Sequence, residues 1–159
     1  PLYLAYKQKK LKISSALIEA ADRVNKKKHL EIIQDLKIKF MNLNKKKILV
    51  LGLTFKENCP DLRNSGVLSL IKSLNDRKIK PYIHDPYADK ADIIREKNLK
   101  YYFLENLEKN HYDCIILAVG HDFYKKMGLK KLKNISKKKH SVFFDLKSIF
   151  NNNEVYYQL

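Results

Sequence analysis

Apolar residues recur at two different spacings along this chain. Between Ser14 and about Leu43, Leu17, Ala20, Ala21 and Val24 fall three or four positions apart, and Ile33, Leu36, Phe40 and Leu43 continue the series. That period marks one face of an α-helix, with Ser14 and Ser15 as N-cap candidates and no Pro or Gly to interrupt it. Globular helices usually run ~8 to 20 residues, so a helix of this length is expected to bridge domains or pack against a partner. Asn42-Leu43-Asn44 and the lysines Lys45 to Lys47 lead out of it.

Beyond Lys45 short apolar runs alternate with helical periods. The pattern predicts strands at Lys47–Leu53, Lys80–His84, Asp113–Val119 and Ser141–Phe144, and a weaker one at Glu154–Tyr157. Helices are predicted at Ser65–Arg77, Ala88–Lys97, Leu104–Lys109 and Phe123–Lys133. Ile48–Leu51 and Cys114–Val119 are apolar on both faces, the sign of parallel strands covered by helices on each side. The expected fold class is therefore α/β, a Rossmann-like, doubly wound, mainly parallel sheet preceded by a long inter-domain helix. Residues 1–44 form the helical segment and 45–159 the domain, with any ligand at the carboxyl ends of the strands.

Composition narrows this further. With 159 residues and 45% hydrophobic content the chain can bury a real core. No apolar run approaches the ~20 residues of a membrane span, and the start lacks a signal-peptide pattern, so a cytoplasmic location without membrane contact is expected. A first residue of Pro rather than Met suggests a chain that begins inside a longer protein. Cys59 and Cys114 have no second thiol or histidine at ligand spacing, which argues against a disulfide and against zinc. The net charge of +16 raises a polyanion partner, but only Arg23, Arg63, Arg77 and Arg95 are arginine, the residue favoured for planar phosphate and base contacts. Solvated surface lysine is the simpler reading, and no nucleic-acid partner is expected.

The most informative stretch follows the first strand, from Gly52 to Ser65 (GLTFKENCPDLRNS). A dinucleotide-binding turn would carry three glycines, so that pyrophosphate could approach the backbone; Gly52 stands alone. The loop offers Lys56 and Arg63 beside a helix start near Asn64 and Ser65, a plausible seat for a diphosphate. The competing reading, favoured on residue types alone, is an Asp61–Arg63 ion pair that stabilises the loop and a merely solvated Lys56.

Gly52–Ser65 resembles the start of the carboxy-terminal domain in the UDP-glucose/GDP-mannose dehydrogenase family, especially members that oxidise UDP-N-acetylhexosamines for surface polysaccharides. Tyr82-Ile83-His84-Asp85-Pro86, Tyr112–Asp122 and Phe143–Lys147 resemble later segments of that domain in order and spacing, and Pro1–Lys7 and Arg23-Val24-Asn25 resemble the stretch before it. The resemblance implies a four-electron oxidation, alcohol through aldehyde to carboxylate, that uses two NAD and a cysteine nucleophile. That cysteine and the NAD-binding domain would precede Pro1, so no catalytic residue is assigned here and this chain alone is expected to be inactive. It implies substrate contacts from Phe55 and Lys56 as two domains close. Lys147 stands where many UDP-glucose members carry arginine, which implies a nucleotide contact there, although a lysine lacks the bidentate grip. It also implies a homodimer through the long helix, with Arg23 and Asn25 reaching the neighbouring site.

Three residues invite over-reading. Cys59 has no adjacent histidine to activate it and reads as structural. His121 beside Asp122 imitates a dyad, yet a turn or helix-cap role suits it better, and His84 reads as the end of a strand. Two other function classes remain open: a polyanion-binding module, and a dimerising scaffold without catalysis.

Overall fold

The apolar runs fold as their lack of alternation requires. In the computed structural model, which describes Lys7, Lys10 and residues 16–95, 98–137, 141–150 and 157–158, β1 (Ile48–Leu51) and β4 (Cys114–Leu117) are buried at every position. With β2 (Tyr82–His84), β3 (Tyr102–Phe103), β5 (Val142–Asp145) and β6 (Tyr157–Gln158) they make a sheet of order β3-β2-β1-β4-β5-β6. Every described pairing is parallel, with Ile48 opposite Cys114 and Leu51 opposite Leu117. The winding reverses between β1 and β4, the switch point where such sheets open a crevice. The doubly wound expectation holds.

Strand side chains alternate, so β1 feeds two cores. Ile48 and Val50 join Ile33, Leu36, Leu70, Ile71 and Leu74 on one face, while Leu49 and Leu51 join Tyr112, Tyr124, Leu132 and Phe143 on the other. The first face is covered by α1 (Ala16–Lys39) and α2 (Gly66–Asn75). Only the second half of α1 takes part: Ile32, Ile33 and Leu36 are buried, whereas Leu17, Ala20, Ala21 and Val24 are exposed. The cap candidates Ser14 and Ser15 lie outside the described residues. Among the described residues no helix is long and apolar enough to cross a membrane.

The remaining helices are short: α3 (Lys90–Arg95), α4 (Asp122–Met127) and α5 (Leu129–Lys133). The single helix expected over Phe123–Lys133 is thus two, broken at Gly128, whose φ of +78° is not helical. The helix expected at Leu104–Lys109 does not form. Leu104 and Leu107 instead pack singly against the second core, and the Leu104 amide donates to the Ile83 carbonyl at 2.8 Å, continuing from β3. One turn cannot repay helix nucleation when tertiary contacts already satisfy its leucines. Of the weak strand expected at Glu154–Tyr157, Tyr157 and Gln158 pair with Phe144 and Asp145; residues 154–156 lie outside the described residues.

Gly52 ends β1 with φ +89°, and a Cβ built there would overlap the Val119 side chain and stand 2.9 Å from its amide nitrogen. Both the left-handed backbone and the approach of β1 to the β4 turn require glycine. Gly52→Ala is expected to cost about 2 kcal/mol and lower Tm by roughly 5 °C; calorimetric unfolding checks this.

Candidate functional site

The turns that leave β1, β4 and β5 border a cleft of about 330 Å³ at the switch point. Thr54 and Phe55 come from the β1 turn, Ala118 and Val119 from the β4 turn, and Leu146 and Lys147 from the β5 turn. Asn25, Lys28, His29 and Ile32 of α1 close one side, and Asn64 to Val67 open α2 at another. Ser65 sets the start of α2: its Oγ accepts from the Val67 amide at 3.2 Å and donates to the Leu53 carbonyl at 2.7 Å, tying helix to strand. A Cβ on Gly66 would meet nothing within 4 Å, so the first helical turn, with its positive dipole end, stays open to the cleft.

Two cations and one neutral ring bear on this space. Lys147 is anchored through its amide to Asp145 Oδ1 at 3.0 Å, and its Nζ stands 3.5 Å from Glu57 Oε1. Glu57 is held below the usual glutamate range, first by its own backbone amide and further by Lys147. Lys28 reaches Glu31 at 2.8 Å. Burial, with Arg77 second, pushes His29 below its ordinary value, which leaves a neutral imidazole in the cleft at neutral pH. The positive end of α2, a lysine on a short tether and the exposed Phe55 ring are the parts an anionic, partly aromatic ligand needs.

The structure brings Phe55, Lys147 and Asn25 together and leaves the other candidates apart. Lys56 is exposed and does not line the cleft; its carbonyl accepts from Thr54 Oγ1 at 3.2 Å. Arg63 grips Asp61 as a fork, Nε to Oδ1 at 3.0 Å and a terminal nitrogen to Oδ2 at 2.8 Å. That guanidinium holds Asp61 at about 2, and Arg63 borders a separate groove with Asp89, Asp92 and Arg95. The loop-stabilising ion pair is thus what forms, and Lys56 and Arg63 do not gather at the start of α2. Arg23 is exposed on α1. Cys59 is a half-buried free thiol, and burial pushes the Cys114 thiol well up. Among the described residues no group of three metal-ligating side chains occurs.

A buried polar cluster behind the β1 turn went unassigned in the sequence. Asp85 Oδ2 accepts from the Leu53 amide at 2.6 Å and the Thr54 amide at 3.0 Å, and lies 3.1 Å from His121 Nε2. Its Oδ1 accepts from the amides of Tyr87 and Ala88 at 2.8 and 3.1 Å. His121 caps nothing with its side chain, although its carbonyl begins α4. His84 does more than end a strand: its Nδ1 lies 3.0 Å from the Tyr124 hydroxyl, which donates to the His84 carbonyl at 2.6 Å. Asp-Pro directly after a strand was the available signal for Asp85, since such an Asp caps the turn amides.

A family model described as "UDP-glucose/GDP-mannose dehydrogenase family, UDP binding domain" matches residues 49–152. The chain is 34% identical over 153 residues to a UDP-N-acetyl-D-glucosamine 6-dehydrogenase of Salmonella typhi, covering 94% of this chain and 35% of that protein. It is 32% identical to one of Pseudomonas aeruginosa, covering 92% and 35%. It thus spans about a third of the length of these relatives. Among solved structures, a UDP-glucose dehydrogenase of Pyrobaculum islandicum aligns with TM-score 0.74 at 24% identity, covering 98% of this chain and 34% of that one. A GDP-mannose dehydrogenase of Pseudomonas aeruginosa aligns with TM-score 0.75 at 18% identity, covering 98% and 36%. At these identities the structural matches establish the shared fold.

Burial pushes Asp85 up, but hydrogen bonds from His121 and from the amides of Leu53 and Tyr87 outweigh it and bring the carboxyl to about 2, below its ordinary 3.8. A depressed carboxylate contributes stability that is complete above the unfolded value and is lost as pH falls through the folded one. Acid unfolding should therefore show a stability loss between about pH 4 and about pH 2 that Asp85→Asn lacks, the variant being less stable at neutral pH. Denaturant titrations at stepped pH test it.

Proposed function

Because the chain belongs to the UDP-glucose/GDP-mannose dehydrogenase family and carries its UDP binding domain, we propose that the switch-point cleft seats the nucleotide of a UDP-N-acetylhexosamine within an NAD-dependent 6-dehydrogenase. The observation that carries this reading is the opening of α2 into the cleft at Gly66, opposite Lys147 and beside Phe55. The helix start and Lys147 receive the diphosphate, and the Phe55 ring lies against the uridine or sugar. Lys56, outside the cleft wall here, joins the sugar side only when a second domain closes on this one. Arg63 stays with Asp61 as a structural fork.

The whole protein would oxidise the sugar's primary alcohol through the aldehyde to the carboxylate, a four-electron change that consumes two NAD, in cytoplasmic synthesis of surface polysaccharide. The residues present do not fit an NAD site. Gly52 is the lone glycine of the first turn and is packed onto Val119, where pyrophosphate would have to approach. NAD therefore belongs to another part of the protein, as does the cysteine nucleophile. The exposed apolar stripe Leu17, Ala20, Ala21 and Val24 of α1 is the surface for a homodimer, with Arg23 alongside it.

UDP should bind this chain in isothermal titration calorimetry. Lys147→Ala should weaken it roughly tenfold, the loss of one charge-assisted contact. Lys56→Ala should leave UDP binding by this chain unchanged and instead lower kcat/KM for the UDP-sugar in the full-length protein. Wild-type UDP affinity in the Lys147 variant would remove Lys147 from the seat.

A further inference from the structure

The loop that carries Thr54 and Phe55 into the cleft is clamped from behind at both ends. Asp85 takes the amides of Leu53 and Thr54 at the near end. At the far end the Asn58 amide donates to His121 Nδ1 at 2.9 Å, and the Asn58 side chain exchanges two bonds with Asp122, at 2.8 and 3.0 Å. Asn58 has φ +55°, the left-handed region that asparagine enters more readily than other residues with a side chain.

His121 joins the two ends, and its protonation is set by geometry. A backbone N–H can only donate, so Nδ1 must present a lone pair to Asn58 and the ring proton sits on Nε2, 3.1 Å from Asp85 Oδ2. Thr54 Oγ1 lies 3.3 Å from the same nitrogen. Both side chains of the pair are wholly enclosed, and the Tyr87 ring stacks on the imidazole at 4.8 Å.

We propose that His121 is a positioning residue for the ligand-binding loop: in its Nε2–H form it holds Leu53–Asn58 in the shape that presents Thr54 and Phe55 to the cleft, and a proton on Nδ1 releases the loop. The affinity consequence rests on the nucleotide reading above; the loop mechanics do not.

A second ring proton would set donor against donor at Asn58, and one of the two must move. The groups that face His121 decide which. Asp85, from the turn after β2, accepts the Nε2 proton and favours a charged ring staying at its end. His84 lies below its ordinary value, chiefly through burial, and adds no cation at neutral pH. Tyr124 of α4 and Tyr87 contribute rings, and Asp122 is engaged by Asn58 and Lys125. The imidazolium keeps its carboxylate, and the Asn58 end gives way.

The experiment measures amide exchange at Asn58 by NMR and UDP affinity by calorimetry on this chain from about pH 8 to about pH 5. Asn58 protection is expected to fall on acidification, and UDP affinity to fall about tenfold more than in His121→Asn over the same range. His121→Asn shares the titration of UDP itself but places an uncharged acceptor near the Nδ1 position, so it should protect Asn58 throughout. His121→Phe, which can neither accept nor donate, should bind UDP about tenfold more weakly at every pH. Asn58 protection that does not change from the top of the range to the bottom overturns the proposal. So does a His121→Asn chain with wild-type acid sensitivity, a comparison that stands even if His121→Phe fails to fold. If wild-type chain with an intact Asn58 response binds no UDP, the nucleotide reading fails and the positioning role survives.

Discussion

A sheet whose strands all run one way delivers every carboxyl end to a single edge, where the chain turns and its amides leave the ladder. Those amides need acceptors. Here two buried carboxylates supply them: Asp85 takes Leu53, Thr54, Tyr87 and Ala88, and Asp145 takes Lys147 and Phe150. Each stands at or just after the end of its strand, so the same geometry that creates the orphan donors also supplies their partner. The turns they fix carry Thr54, Phe55 and Lys147. The cleft is thus shaped less by packing than by charge-assisted bonds at the sheet edge.

The elements that positioned this site were largely readable before folding, because strands buried on both faces announce themselves by composition alone. Ile48–Leu51 and Cys114–Leu117 needed no partner to be recognised, and Ser65 ahead of an apolar period marked the start of α2. Two-residue β3 carries too little pattern to stand out from Lys100–Leu104. Leu104 and Leu107 share helical spacing by coincidence, since each finds the second core from an irregular backbone. Along α1 the period was legible, but periodicity cannot say which half a core will cover.

Within the site, the lone Gly52 was legible as a departure from a three-glycine turn, whereas its left-handed backbone and its approach to Val119 emerge only with the fold. Lys56 and Arg63 admitted two readings, a diphosphate seat and an Asp61–Arg63 ion pair, since charges on a loop have no period and their partners are decided in three dimensions. Asp61 is two residues from Arg63 and captures its fork, which costs little chain entropy. The contact between Asp85 and His121 spans 36 positions. Adjacency to Asp122 drew attention to the wrong carboxylate, and only the return of β4 beside β1 brings the imidazole behind the loop.

The net charge of +16 acts at longer range than any of these contacts. It raises the local concentration of any dianionic ligand and speeds encounter, but a field from scattered lysines falls off within roughly 8 to 10 Å at physiological salt and discriminates poorly among anions. Among the described residues, Lys28 and Lys147 are the only lysines that line the cleft. On the proposed reading, selectivity comes from fixed groups: the opened helix start, the tethered Lys147 and the Phe55 ring. Their value depends on the Leu53–Asn58 loop being already in place when ligand arrives, because ordering it afterwards would draw on binding energy. That is the physical reason for a chain to enclose a histidine–carboxylate pair behind a surface loop, where an apolar contact of the same size would fill space without fixing the direction of any amide.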